Sequence, residues 1–339
     1  MKARDWKEFI WNRYMLYVLV IHVAGFIALF TAVPTHPTFI GLGIAAYVFG
    51  IRHAFDIDHI AAVDNTIRKL VAQKQDSRGV GFYFSLGHST VVFLLALLTA
   101  VSVKFVAKYM SSMQDIGGII GVTVSGVFLV FIAILNLMLF MQLWKIFRRL
   151  KEEKVSESEL EKMFEAKGFF TRYLKPLFKV VTKSWHIYPI GFLFGLGFDT
   201  ATEISLLTMS AGAAKSNLPV LGIISLPLLF AAGMSLFDTL DGILMTKSYA
   251  WAHNKPVRKV YYNLTVTAIS VVAALAVGIV ELAQITTEKL HLSGGLWNDL
   301  AAIDFGNLGY FLVAAFLIIW GVSVFIWKYY RIEERYTLK

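Results

Sequence analysis

The chain has 339 residues, 57% hydrophobic and only 16% charged, with a formal net charge of +9 and no cysteine. Globular proteins carry about 25% charged residues, so the composition argues against a conventional soluble fold, and the mean hydropathy of +0.63 agrees. Without thiols there are no disulfides, thiolate metal sites or cysteine redox chemistry.

Apolar blocks of twenty or more residues recur along the chain, the length that crosses ~30 Å of hydrocarbon as a helix. The first, from about Tyr14 to Val33, follows Lys2, Arg4, Lys7 and Arg13. It has no small-x-small cleavage site before Pro34, so it reads as a retained helix and not a signal peptide. Further spans are expected near 38–63, 80–103, 117–144, 187–211, 218–246, 261–284 and 305–327. The expected fold is therefore all-α: a polytopic membrane protein with about eight transmembrane helices. We read 1–339 as a single transmembrane domain, with four helices in 1–144, a cytoplasmic connector at 145–185 and four helices in 186–339.

Charge sets the expected orientation. With these spans, 27 of the 32 Lys and Arg fall on one side, four on the other, and Arg52 lies inside the second span. The positive-inside rule then places both termini in the cytoplasm. The +9 is thus topological, a property of loops beside a bilayer, and does not point to nucleic acid. In the connector, Ser158 and Glu161 have capping-box spacing. The stretch Phe169 to Phe178 mixes apolar and basic residues in the manner of a surface helix.

Ionisable groups at membrane depth cost roughly 2.5–3.5 kcal/mol each on insertion scales and so need a reason to be there. They concentrate in four stretches: Arg52-His53-Ala54-Phe55-Asp56-Ile57-Asp58-His59 continuing to Asp64-Asn65, Ser85-Leu86-Gly87-His88, Phe198-Asp199-Thr200-Ala201-Thr202-Glu203, and Ser235-Leu236-Phe237-Asp238 continuing to Asp241. On one continuous helix His53, Asp56 and His59 would share a face, with Arg52 beside Asp56 and His59, while Asp58 would point elsewhere. His88, Asp199, Glu203 and Asp238 are placed to complete a shell from neighbouring helices, with His22 of the first span as an outlying candidate. Imidazole with carboxylate and no sulfur suits Ni²⁺, Co²⁺, Zn²⁺ or Cu²⁺. It is a poor match for the all-oxygen cages of Mg²⁺ and Ca²⁺. The structural alternative is a set of packing contacts, His53–Asp56 and Arg52–Asp56 among them. The eighth span has no ionisable residue between Leu308 and Trp327 and reads as scaffold.

A short internal repeat relates Phe55-Asp56 to Phe198-Asp199 and Ser85-Leu86-Gly87-His88 to Ser235-Leu236-Phe237-Asp238. The related spans run in opposite directions, the arrangement of inverted halves that hold a substrate near the midplane.

The run from His53 through Asp58-His59 to Asp64-Asn65 and Arg68 closely resembles the signature of the nickel/cobalt transporter (NiCoT) family. Phe84 to Thr90, Leu196 to Glu203 and Gly233 to Gly242 resemble that family's other motifs, in the same order. Ile57 departs from the pattern, where members often carry a small residue. The resemblance implies high-affinity uptake of Ni²⁺ or Co²⁺ across a bacterial cytoplasmic membrane, with His53, Asp58 and His59 as essential motif residues. The metal is then a transported substrate, no resident cofactor is expected, and the partners are the ion and the lipid bilayer.

No Walker A motif or phosphorylatable Asp-Lys-Thr-Gly is present, so ATP-driven transport and enzymatic activity are not expected. Histidines bind metal as neutral imidazoles, so uptake should fall as pH drops through about 6. The rival readings are a carrier of Zn²⁺ or Mn²⁺, a metal exporter, and a membrane di-metal oxidoreductase. An oxidoreductase would need many more clustered histidines than His53, His59 and His88, and exporters of this type usually carry a His-rich loop that 145–185 lacks.

Overall fold

A computed structural model of the chain describes residues 12–101, 103–152, 181–197, 201–215, 219–253, 256–303 and 308–329. The described residues are mostly helical, without a strand among them. In chain order the helices are α1 (Arg13–Ala32), α2 (Phe39–His53), α3 (Ile57–Ala72), α4 (Val80–Val101), α5 (Val103–Glu152), α6 (Tyr188–Phe194), α7 (Ala201–Lys215), α8 (Val220–His253), α9 (Pro256–Lys289), α10 (Gly295–Ala301) and α11 (Leu308–Tyr329).

The first helix shows how the chain divides its faces. Asn12 caps it, accepting from the backbone N–H groups of Tyr14 (2.8 Å) and Met15 (3.2 Å). Tyr14, Val18, Gly25 and Leu29 are buried, while Leu16, Leu19, Val20, Ile27 and Phe30 are exposed. Such an apolar outer face is a liability in water and what a helix presents to lipid. The outward residues of α11, Phe311, Ile318 and Phe325, behave in the same way.

Among the described residues, six helices contain segments long and apolar enough to span a membrane: Arg13–Ala32, Val80–Thr99, Asp115–Lys145, Val220–Tyr249, Leu264–Lys289 and Leu308–Phe325. The pair α2 and α3 is long and apolar enough only when taken together, with a 54° bend at the break, the form of a broken span or a re-entrant loop. The segment expected as the fifth span is instead two helices, α6 and α7, flanking residues 198–200, which lie outside the described set. So do Ser158, Glu161 and the Phe169–Phe178 stretch of the connector.

The second span departs from the continuous helix expected of it. Ala54 and Phe55 close α2, and Asp56 adopts an extended conformation (φ −65°, ψ 140°) before α3 begins. Aspartate is well suited to the position preceding a helix, and Asp58 in the first turn of α3 favours the positive end of its dipole. The stripe of His53, Asp56 and His59 on one helix face is thus redrawn: the two histidines sit on different helices, with Asp56 in the break. Arg52 is exposed and makes no ion pair among the described residues, so the Arg52–Asp56 pair of the packing alternative does not form there.

Three cations assigned to loops also move. Arg68 and Lys69 lie inside α3, 4% and 1% exposed, and Lys247 is buried in α8. The α3 helix continues past the sequence-derived span end because its last turns are wrapped by α5, α8 and α9 and not by water.

α8 is the central element, packed on α1, α2, α3 and α4, and α5 pairs with α9. Glycine permits the closest approaches. A Cβ on Gly50 of α2 would collide with the Phe230 carbonyl of α8, and one on Gly81 of α4 with the Asp238 carbonyl. These contacts draw α2 and α4 against the same helix. A core of Ile60, Ile67, Phe84, Leu129, Ile132 and Ala274 lies on one side, and one of Leu29, Phe39, Leu229 and Phe230 on the other.

Candidate metal site

The break between α2 and α3 sits where α4, α7 and α8 converge. His53 is the last residue of α2, and His59 lies in the first turn of α3. His88 comes from α4, Glu203 from the first turn of α7, and Asp238 from α8. The three imidazoles are 1%, 0% and 3% exposed, and each offers a nitrogen within 4.8 Å of the other two. Their ring centroids form a nearly equilateral triangle with sides of 4.6, 4.6 and 4.7 Å.

The hydrogen-bonding pattern restricts how these rings work. His53 Nδ1 lies 2.9 Å from Asp56 Oδ2, and its Nε2 is the nitrogen that faces inward. That Nε2 faces His88 Nε2 at 2.9 Å, and His88 Nε2 is 2.7 Å from Glu203 Oε1. Glu203 Oε1 is in turn 4.0 Å from His53 Nε2, and Thr202 Oγ1 is 3.3 Å from His53 Nδ1. Two nitrogens facing each other can hold at most one proton between them. A divalent ion uses both lone pairs, and two cis ligands at about 2.1 Å from a metal stand about 3.0 Å apart. The 2.9 Å separation fits a shared metal, and in the metal-free protein it is the length of an N–H···N hydrogen bond.

His59 is the least satisfied member. Neither of its ring nitrogens has a hydrogen-bond partner among the described residues, and its nearest carboxylate oxygen is Asp238 Oδ2, 3.5 Å from Nδ1. A fully buried imidazole in that condition costs stability unless something else satisfies it. Phe84 packs edge-on against His59 (4.8 Å), and Phe230 lies beside His53 (5.6 Å), so aromatic walls exclude water from the histidines.

Of the eight residues singled out in the sequence, His53, Asp56, His59, His88, Glu203 and Asp238 come together here. Asp58 stands beside them in α3, where its Oδ1 accepts from the His59 backbone N–H at 2.9 Å. Asp199 lies outside the described residues. His22 stays apart, bonded to the Val18 carbonyl (2.8 Å) and to Tyr47 Oη (3.2 Å). Sequence reasoning missed Thr202, Phe84 and Phe230 as site neighbours. Phe84 was open to detection, because it precedes His88 by one helical turn and shares its face. Phe230 carries no such signal, since only the packing of α8 on α2 brings it near His53.

A polytopic helical membrane protein with three buried imidazoles and several carboxylates at a broken span has the make-up of a metal-ion transporter. The comparisons narrow this. Residues 39–326 match the family described as High-affinity nickel-transport protein (NicO), and the chain belongs to that family. It is a family of transport proteins, not enzymes. The chain is 52% identical over 327 residues to the nickel transporter NixA of Staphylococcus aureus, covering 96% of this chain and 97% of that one. It is 47% identical over 325 residues to the high-affinity nickel-transport protein NixA of Helicobacter pylori, covering 94% and 97%. It is also 38% identical over 311 residues to the cobalt transport protein NhlF of Rhodococcus rhodochrous, covering 89% and 88%. No solved structure matches the chain.

Proposed function

We propose that the chain is a high-affinity permease carrying Ni²⁺, with Co²⁺ as the related cargo, into the cytoplasm across the cell membrane. The observation that carries this reading is the convergence of His53, His59 and His88, fully buried and within 4.8 Å of one another at the helix break. In this reading the three imidazoles hold the ion and Asp56 orients His53. Glu203 and Asp238 balance the charge as direct or outer-sphere groups, and Asp58 braces the first turn of α3. Asp199, from the second copy of the repeat, is assigned to the same site by its motif.

The driving force needs no second substrate. Moving a doubly charged ion inward is favoured by roughly 4.6 kcal/mol per 100 mV of inside-negative potential, twice the single-charge value. The basic loops support the orientation: with Arg68, Lys69 and Lys247 set aside as buried, 24 Lys and Arg still stand against four, the asymmetry expected with both termini inside. The first four spans and the last four would then act as inverted halves joined by the 145–185 connector.

The test is ⁶³Ni²⁺ uptake into metal-starved cells expressing the chain, beside His53→Ala and His88→Ala variants, with Co²⁺, Zn²⁺ and Mn²⁺ as competitors. Saturable uptake that both substitutions abolish and that Co²⁺ alone blocks is the expected result. Uptake unchanged in the variants would make the histidine cluster structural.

A further inference from the structure

A second buried polar assembly lies along α3 beyond the histidines. Asp64 and Arg68 are five and nine residues past His59, roughly 7 and 13 Å along the helix axis. The Arg68 Nη2 lies within hydrogen-bond distance of Asp64 Oδ2 (3.1 Å), Tyr249 Oη (2.5 Å) and Ser270 Oγ (2.5 Å), three acceptors that share its two N–H groups. Ser270 Oγ donates to Asp64 Oδ2 at 2.5 Å, and the Tyr249 hydroxyl donates to Asp64 Oδ1. Arg68 also sits over the Tyr249 ring, 4.8 Å from its centroid. Tyr249 belongs to α8 and Ser270 to α9, so one guanidinium ties three helices together.

Between the two assemblies runs a line of polar groups in an otherwise apolar interior. Asp238 approaches His59, and Asp241 lies three residues on along α8, within electrostatic reach of both Asp238 and Asp64. Asp241 Oδ1, Thr239 Oγ1 and Thr66 Oγ1 have no hydrogen-bond partner among the described residues. Buried polar atoms left without partners are costly unless they serve an ion or water in passage.

A static brace accounts poorly for Arg68. A buried guanidinium that only holds helices together is expected to satisfy all its N–H groups, because a half-satisfied buried network is worse than an apolar contact. Here Nη2 makes the bonds, while Nε and Nη1 have no partner among the described residues. The knot is held through one nitrogen.

We propose that Arg68 is a tethered cation that closes the cytoplasmic end of the transport path by occupying the Asp64 carboxylate, and that the metal ion leaves by displacing it. The proposal rests on the nickel reading and the orientation given above. Two properties follow from the chemistry. Guanidinium stays protonated at any physiological pH, so a path sealed by it repels protons and monovalent cations when no cargo is present. An arriving divalent ion repels Arg68 and competes for Asp64, which ties opening to the presence of cargo. Because His59 and Arg68 share the rigid α3 helix, a shift of that helix as His59 takes the ion also strains the bonds to Tyr249 and Ser270.

The native chain has no cysteine, so one introduced thiol reports the path. Thr239→Cys places it at a fully buried position between the two assemblies. In oriented membrane vesicles, a charged, impermeant thiol reagent is applied from each face, with and without NiCl₂, in three backgrounds: the unaltered clamp, Tyr249→Phe and Ser270→Ala. With the clamp unaltered, labelling from the cytoplasmic face should rise about tenfold on adding Ni²⁺, as for a two-state equilibrium shifted by one decade. In the two weakened backgrounds it should be fast without Ni²⁺. Equal rates in all backgrounds, with and without Ni²⁺, would make the clamp a fixed brace and overturn the proposal, as would labelling from the external face alone. Calorimetric Ni²⁺ titration of the same purified proteins tests the parent reading separately. Binding should stay within about twofold in the clamp variants, since well-separated sites are nearly additive. If the unaltered chain bound no Ni²⁺, the nickel reading would fail, while the clamp would still be decided by the difference in labelling between backgrounds. Arg68→Lys provides a further check: it keeps the charge but loses the planar fork, and should label like the weakened backgrounds.

Discussion

Replacing Asp56 tests the site at its most informative point, because this carboxylate is proposed to orient a ligand and not to bind the metal. Its Oδ2 lies 2.9 Å from His53 Nδ1, on the opposite side of the ring from the Nε2 that faces His88. A metal on that Nε2 would stand about 6–7 Å from the carboxylate, where Coulomb's law gives about 5 kcal/mol for an effective dielectric of ~20. The Asp56 side chain is 26% exposed, so water screens much of this. Measured losses for partners of metal-bound histidines are about 10–100-fold in affinity, or ~1.4–2.7 kcal/mol. Asp56→Asn keeps an acceptor for the Nδ1 proton and should lose about tenfold, while Asp56→Ala removes both charge and acceptor and should lose about 100-fold. The assay is calorimetric Ni²⁺ titration in nanodiscs together with ⁶³Ni²⁺ uptake, where the half-saturating concentration should rise by the same factors. Complete loss in Asp56→Asn, equal to that of His53→Ala, would show Asp56 to be a direct ligand and refute the reasoning. No change in either variant would refute it from the other side.

Other expectations follow from the same geometry. His59→Leu should abolish uptake yet leave the unfolding temperature in detergent unchanged or higher, because it removes a buried imidazole whose nitrogens have no hydrogen-bond partner among the described residues; a large loss of stability would show that His59 is a structural group. Gly81→Val should destabilise by about 1–3 kcal/mol, as overpacking does, since its Cβ would meet the Asp238 carbonyl. Thermal unfolding and Ni²⁺ affinity should both suffer, and unaltered values would show that α4 and α8 separate freely. Asp76, in the turn between α3 and α4, accepts from Arg78 Nε and Nη2 at 2.9 Å each, and these bonds hold its carboxyl below the usual carboxylate range. A depressed pKa contributes stability above the unfolded value, near 3.9, that is lost as pH falls through the lower folded value. With both side chains about 40% exposed, Arg78→Ala should cost under about 1 kcal/mol at neutral pH, and the difference should vanish in melts at the acid end.

The comparison of sequence with structure turns on the second span. Polar residue types and their spacing marked His53, Asp56, His59 and His88 as a group, because ionisable side chains in an apolar run are costly enough to be informative. Composition and block length likewise determined an all-helical membrane protein. Periodicity assumed one unbroken helix and so placed His53, Asp56 and His59 on a single stripe. The extended conformation of Asp56 is decided by what surrounds it, including the stacking of Phe55 on Tyr310 of α11 (4.7 Å). The eighth span, apolar throughout and read as scaffold, thus reaches the break.

Arg68, Lys69 and Lys247 teach the complementary lesson. A cation beside the end of an apolar block reads as a loop residue, since hydropathy averages over a window and cannot see a partner 181 residues away, as Tyr249 is from Arg68. The sequence by itself determined the class of protein, the residue types available for metal and the motifs that carry them. Only the tertiary structure decided that α2 and α3 break at Asp56, that five helices converge on the histidines, and that Arg68 closes on Asp64. Those outcomes depend on backbone contacts between helices far apart in the chain, made possible where Gly50 and Gly81 let α8 come close.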